Sequence, residues 1–375
     1  MPLSKIVANS ITDNTITTDQ IADTSVHGRR NLVINGSMNV SQRGTSSTGL
    51  HDSGYYTVDR FALVFGNEDE LRVTMSQNSV TDLPGFANSL KVQTTTAESA
   101  IAADESYYII NRYEGQDFQH LKYGTSSALS TTLSFYVKSS VTGTFAVAIY
   151  QTDGNDIIGS TYTINSANTW ERKTITFAGN TLAAIVDDNT NAIMIDWFLA
   201  AGSNFTSVNN TSWGGYETGK LAYGHGTNAV ATTTNATWEI TGVQWEVGSS
   251  ATPLEPRSYA DELQRCQRYL YQAEFTTGGT SIANGAMYNS SEIFCHISFP
   301  VTMRSPPTFS SSSVSNGFRA YSAGQSDDFA SWSGIQESGT TGHTIYKNSL
   351  SSTGNAAGWV QAIASGAYIR FDAEL

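Results

Sequence analysis

The spacing of apolar residues along the chain changes character three times. In residues 6–26, "IVANSITDNTITTDQIADTSV", Ile6, Ile11, Ile16, Ile21 and Val26 follow one another at an unbroken interval of five. An odd interval puts successive members on opposite faces of a strand, and five is not a helical period either. The chain must turn or wrap between each pair, so residues 1–30 are expected to form an extended arm. Such an arm packs its isoleucines against copies of itself or onto a larger body. A disordered polar tail is the alternative.

From Asn31 to about residue 250 the period becomes two. "TTLSFYVKSS" aligns Leu133, Phe135 and Val137, and "TGTFAVAIYQTDGNDIIG" aligns Phe145, Val147 and Ile149 ahead of an Asp-Gly turn. "NAIMIDWFLAAGS" is apolar on both faces, as a central strand is. In "ATWEITGVQW" Trp238 and Ile240 are out of step with Val243 and Trp245, and a bulge at Gly242 would restore the inward face. Trp170, Trp197, Trp238 and Trp245 lie in such strand patterns and are expected in the core. Many short strands without intervening helices predict an all-β chain, with a jelly-roll β-sandwich over residues 31–250. Residues 273–375 repeat the style with Gly- and Ser-rich turns and end in "YIRFDAEL", predicting a smaller C-terminal β-sandwich.

The third change falls between these units, in "GVQWEVGSSATPLEPRSYADELQRCQRYLYQ". Pro253 and Pro256 remove backbone donors and hold their neighbours extended, so residues 251–272 read as a hinge followed by a helix. Ser258 can cap that helix with Asp261 at the third position. Tyr259, Leu263, Cys266 and Leu270 form one apolar stripe of about four turns, expected to be buried against the jelly roll or against the same helix in neighbouring copies.

Composition narrows the functional classes. The chain has 375 residues, of which 14% are charged, with a formal net charge of −13. Arg29 and Arg30 stand alone, so there is no basic platform for a phosphate backbone, and no nucleic-acid partner is expected. No apolar run approaches 18 residues and "MPLSKIVANS" lacks the apolar core of a secretory signal, so the chain is expected to be soluble, without membrane insertion and not exported by the common route. Two cysteines, Cys266 and Cys295, are too few for a disulfide framework and are expected as free thiols.

Three stretches resemble, in this order, the tail fibre and receptor-binding proteins of tailed bacteriophages: "RRNLVINGSMNVSQRGTS" with "YYTVDRF", then the strand, "ATPLEPRSY" and Cys-bearing helix, then "FPVTMRSPPTF". The resemblance implies a homotrimer attached to the virion and its other tail proteins through the N-terminal arm. It also implies jelly-roll domains similar to carbohydrate-binding modules, and a variable distal tip that meets the host.

Catalytic chemistry is hard to find. No metalloprotease, nucleophile-elbow, phosphate-loop or zinc-finger spacing occurs, the six histidines are scattered, and no catalytic residue, metal or cofactor is expected. Acidic neighbours such as Asp187-Asp188, Asp327-Asp328 and "DGND" suit turns as well as they suit a carboxylate pair or Ca²⁺. A sugar site needs aromatic faces beside fixed hydrogen-bonding groups. "NNTSWGGYETGKLAYGHG" offers Trp213, Tyr216 and Tyr223, with Asn209 and Glu217. "YSAGQSDDFASWSG" offers Tyr321, Phe329 and Trp332, with Asp327 and Asp328. The expected function is a structural and adhesive tail-fibre subunit of the virion tail, made in the bacterial cytoplasm, that binds a bacterial surface glycan. A polysaccharide-cleaving tail spike and a purely structural tail adaptor are the rivals.

Overall fold

The computed structural model describes residues 29–67, 69–275, 278–351 and 356–375. The isoleucine arm from Ile6 to Val26 lies outside the described residues.

The first unit is built from β1 (Ser46–Leu50), β2 (Phe61–Gly66), β3 (Arg72–Ser79), β4 (Asn88–Thr96), β5 (Ser106–Glu114), β6 (Thr131–Ser139), β7 (Gly143–Gln151), β8 (Asp156–Ile164), β9 (Glu171–Phe177), β10 (Asn191–Ala201), β11 (Gly214–Gly215) and β12 (Thr237–Val247). They form two six-stranded sheets in the orders β1-β3-β4-β12-β6-β9 and β11-β8-β7-β10-β5-β2. The paired strands are antiparallel, and the two sheets close as a jelly-roll sandwich on one core. Alternation fixes which side chains enter it: Leu133, Phe135 and Val137 from β6 meet Phe145, Val147 and Ile149 from β7. β10 is central, between β7 and β5. The register of β12 against β6 slips between Thr241 and Gln244, where Gly242 has φ +61°, so Trp238, Ile240, Val243 and Trp245 all point inward. Two short helices, α1 (Ser203–Thr206) and α2 (Ala229–Thr232), lie in the long connection after β10. Its Phe205, Tyr216 and Leu221 pack on a small apolar cluster outside the second sheet.

The second unit follows α3 (Tyr259–Gln267) and comprises β13 (Leu270–Phe275), β14 (Thr280–Asn289), β15 (Glu292–Ser298), β16 (Thr308–Ser311), β17 (Phe318–Ser322), β18 (Gln325–Phe329), β19 (Gly334–Ser338), β20 (Gly342–Lys347), β21 (Ala357–Ala362) and β22 (Ala367–Asp372). A three-stranded sheet, β13-β22-β16, faces a seven-stranded one, β18-β17-β21-β14-β15-β20-β19. Phe318, Val360, Ile293, Ile345 and Phe371 lie in the core between them.

The helix differs from the expected one. Ser258 does cap it, accepting from the Asp261 N–H at 3.1 Å. It ends at Gln267, however, because Leu270 already pairs with Asp372 as the start of β13. Cys266 and Leu270 are buried, Leu263 is half-buried and Tyr259 is 59% exposed. Of the expected four-residue stripe Cys266 and Leu270 are buried, Tyr259 is corrected to an exposed position, and α3 buries Glu262 beside Cys266. Cys266 and Cys295 are both free and buried, and burial pushes both thiols up, that of Cys295 to about 12.

The proline segment is fastened to the first unit by side-chain contacts. The Glu255 carboxylate accepts from the N–H groups of Arg29 (2.8 Å) and Asn31 (2.7 Å). Asn31 donates to the Val243 carbonyl (2.9 Å), bridging back to β12. Arg257 pairs with Glu262 at 2.8 Å, and Glu262 also accepts from the Asn35 N–H. A second knot joins the units: Arg43 pairs with Asp372 (2.7 Å), Arg60 with Glu374, and Arg268 with Glu114 (2.6 Å), while Arg304 donates to the Asn189 carbonyl (3.0 Å). Arg60 is 1% exposed, with its guanidinium 3.4 Å from the centre of the Tyr269 ring. Buried charges persist where partners satisfy them. The three stretches that stood out in the sequence all contribute to this joint.

Candidate functional site

Of the residues proposed from the C-terminal stretch, Trp332 is displaced furthest from expectation. It is 7% exposed and packs edge-on against Phe318 (6.0 Å) and Phe329 (5.4 Å) in the core of the second unit. Phe318 and Phe329 face each other across β17 and β18 on the inward side, and Trp332, three residues further on, folds over them. Neither Trp332 nor the buried Phe329 can offer a ring face to a ligand. Asp327 is engaged by the N–H (2.5 Å) and hydroxyl (3.0 Å) of Ser351. Asp328 takes a two-pronged contact from Arg319, whose hydrogen bonds hold its carboxyl below its ordinary value. Tyr321 is on the outward face, stacked on Trp359 at 4.8 Å.

The loop after β10 does not gather its aromatics either. The Trp213 indole donates to the Ala178 carbonyl at 2.6 Å and its ring meets Tyr123 edge-on at 5.8 Å. Tyr216 instead packs on Tyr150 at 5.0 Å. Tyr223 is half-buried further along. Asn209 is occupied by Thr211 and Glu217 by Lys220, so the loop's polar groups are spent on its own shape. Trp213 does border a cleft of about 490 Å³ with Leu182, Thr181 and Ser160. The acidic neighbours are engaged structurally: Asp188 accepts locally from Thr190, as a turn former does, and Asp153 accepts from the Val186 N–H of a distant loop. Among the described residues no group of His, Cys, Asp or Glu could hold a metal ion.

A more complete constellation lies on the outward face of the first sheet. The β3–β4 hairpin leans over that face from one side and the proline segment 252–257 from the other. Between them is a groove of about 510 Å³, whose floor is Tyr136 and Ser134 from β6 with Gly242 from β12. Phe86 of the hairpin meets Tyr136 at 5.1 Å. Gly242 makes this possible, because a Cβ there would stand 2.7 Å from the Phe86 ring and 3.0 Å from that of Tyr136. The bulge that keeps the β12 tryptophans inward thus also lets two rings close over the sheet. Asn39, Arg172 and Glu255 supply polar groups at the walls. Arg172 is fixed by donating to the Thr252 carbonyl at 2.7 Å. Burial pushes the Glu255 carboxyl up, but the Asn31 N–H, the Arg257 charge and the Arg29 N–H outweigh it and hold it below its ordinary value.

Trp170 also sits at this face. It was expected in the core with Trp197, Trp238 and Trp245; those three are fully buried, whereas Trp170 is half-exposed. Its indole donates to Asp82 of the hairpin at 2.8 Å, and the Lys138 ammonium lies 4.7 Å from its ring centre. The Trp170 N–H is the main reason the Asp82 carboxyl is held below its ordinary value. The groove was missed because Tyr136 is flanked by Phe135 and Val137 in one apolar run. Its signal was available in the alternation, which turns Tyr136 outward.

No family model matches this chain, and no curated protein is similar to it in sequence. Solved structures similar to it include the enzymatically active domain of tailspike protein 4 of bacteriophage CBA120, at 13% identity and a TM-score of 0.31, covering 58% of this chain. The chain spans 21% of the length of that tailspike structure. Another is the family 11 carbohydrate-binding module of the cellulosomal cellulase Lic26A-Cel5E of Clostridium thermocellum, at 13% identity and a TM-score of 0.27, covering 54% of this chain and 95% of that one. A third is the xylan-binding domain from Paenibacillus barcinonensis Xyn10C, at 11% identity and a TM-score of 0.25, covering 55% of this chain and 98% of that one.

Proposed function

We propose that this chain is a non-catalytic, glycan-binding structural subunit of a bacteriophage tail fibre. In this reading it is a homotrimer held to other tail proteins by residues 1–30, and it presents its two β-sandwiches to a bacterial surface glycan. The observation that carries the reading is the groove on the first sheet. Phe86 and Tyr136 provide ring surface for the C–H face of a sugar, and Arg172, Asn39 and Ser134 provide hydrogen-bonding groups beside it. Glu255, the carboxylate among the lining residues, is committed to backbone N–H groups, which favours binding over acid–base cleavage. A shallow groove binds weakly, and threefold presentation supplies avidity. The sequence resemblance supports the tail-fibre context.

The test is the purified full chain on a panel of bacterial surface glycans, read for retention and for cleavage products, with its mass measured by light scattering. Retention without cleavage by a trimer is expected. Released oligosaccharides would make the protein a depolymerase, and a trimer retained by no glycan would make it an adaptor.

A further inference from the structure

The outward face of the seven-stranded sheet carries a second arrangement of rings, on the other unit from the groove and independent of how the groove is read. Strand register places it unambiguously. Tyr321 on β17 is opposite Trp359 on β21, Trp359 is opposite Asn284 on β14, Ala357 is opposite Ala286, and Ala286 is opposite Phe294 on β15, which is opposite Tyr346 on β20. Directly paired residues share a face, and the inward partners Phe318, Val360, Ile293 and Ile345 are in the core, so this set looks out.

Two aromatic banks result. On one side Tyr321 and Trp359 stack at 4.8 Å and 14°. On the other, Tyr288 meets Phe294 at 5.2 Å and Phe294 meets Tyr346 at 5.9 Å. Tyr288 shares the outward face with Ala286 by alternation and lies where the β14–β15 register slips between Met287 and Asn289. Trp359 is 41% exposed and Tyr288 72%. The floor between the banks is low and neutral: Asn284, Ala286 and Ala357 are all exposed.

We propose that this face is a second saccharide site, for a neutral glycan chain. Charge is the first argument. Arg319, the cation beside the stacked pair, is matched by Asp328 in a two-pronged pair through Nε and Nη2, so its charge is already balanced and the face offers little attraction to a phosphate, carboxylate or sulfate. Width is the second. β21 and β15 flank β14, so Trp359 and Phe294 rise two strand spacings apart, about 10 Å between backbones, with Tyr288 on β14 itself at the end of the floor. A helix with side chains needs ~10–12 Å and cannot settle between them. One saccharide chain can, with ring faces against the aromatics, a hydroxyl on the Asn284 amide and its outer hydroxyls left in water. The floor alanines keep that passage open.

The test is titration of the full chain with xylohexaose, cellohexaose, maltohexaose and mannohexaose, followed by tryptophan fluorescence, in a Tyr136→Ala background that disables the groove. At least one hexasaccharide is expected to bind there, and adding Trp359→Ala should weaken it about tenfold, with Trp359→Phe recovering part of the loss. Sedimentation and melting of both Trp359 variants should match the background protein. The proposal is overturned if no hexasaccharide binds in that background or if Trp359→Ala leaves affinity unchanged. It is equally overturned if the substitution lowers the oligomer mass, which would make the face an interface between copies. Affinity lowered by Tyr136→Ala but still lowered further by Trp359→Ala would speak to the groove and leave this site standing.

Discussion

Trp332 and Trp359 divide two roles that one aromatic could have filled. Trp332 closes a core, so Trp332→Ala should cost about 3–5 kcal/mol, read as a lowered denaturation midpoint. Asp196 makes a residue-scale claim of the opposite sign. It lies on the outward side of β10 between Met194 and Phe198, opposite Ile110 and Ala148, and is 2% exposed with one carboxylate oxygen lacking a partner. Burial raises its carboxyl to about 7, with Arg112 only partly opposing. Because the folded value exceeds the unfolded one, the native state is favoured by this group below about pH 4 and loses that contribution as pH rises through about 7. Asp196→Asn should therefore be the more stable protein at pH 8, by ~2–4 kcal/mol. The difference should vanish near pH 4 in paired melts.

At the scale of elements, the bulge in β12 shows what was legible. Trp238 and Ile240 against Val243 and Trp245 announced an extra residue, and Gly242 supplies it at φ +61°. Gly242→Ala should both strain that backbone and push Phe86 off Tyr136, costing about 1–3 kcal/mol and reducing any groove binding. The helix was legible at its start, where Ser258 and Asp261 act locally, and misread at its end, where β22 recruits Leu270 into a strand. Its apolar stripe misled because Glu262, a charged residue on sequence grounds, is buried by partners 5 and 227 residues away. Glu262→Ala should cost about 1–3 kcal/mol by leaving the buried Asn35 N–H without its acceptor, whereas Tyr259→Ala should be nearly neutral; equal losses in chemical denaturation would contradict this account of α3.

Across the whole molecule, periodicity disclosed two all-β units, because alternation is a local property. It could not disclose their joint. Pro253 and Pro256 announced a hinge but not its fastenings: Asn31, Glu255 and Arg257 hold it, and Arg43, Arg60 and Glu374 fasten the second unit to the first over sequence distances above 300 residues. Glu374→Ala leaves Arg60 buried without its carboxylate, and should lower stability by about 3–5 kcal/mol while splitting one calorimetric transition into two. The candidate surfaces were half legible for the same reason: the ring-rich stretches were visible, but which rings face out is decided by register between strands far apart in sequence. Tyr321 was chosen and Trp359, its stacking partner, was not.

The central claim is that the groove over the first sheet binds sugar through Tyr136. It is tested most directly by calorimetric titration of the full chain with the glycan it retains best, comparing the parent protein with Tyr136→Ala. The account predicts affinity at least about tenfold weaker in the variant, with melting temperatures within a degree or two. Unchanged affinity in a folded variant would contradict it.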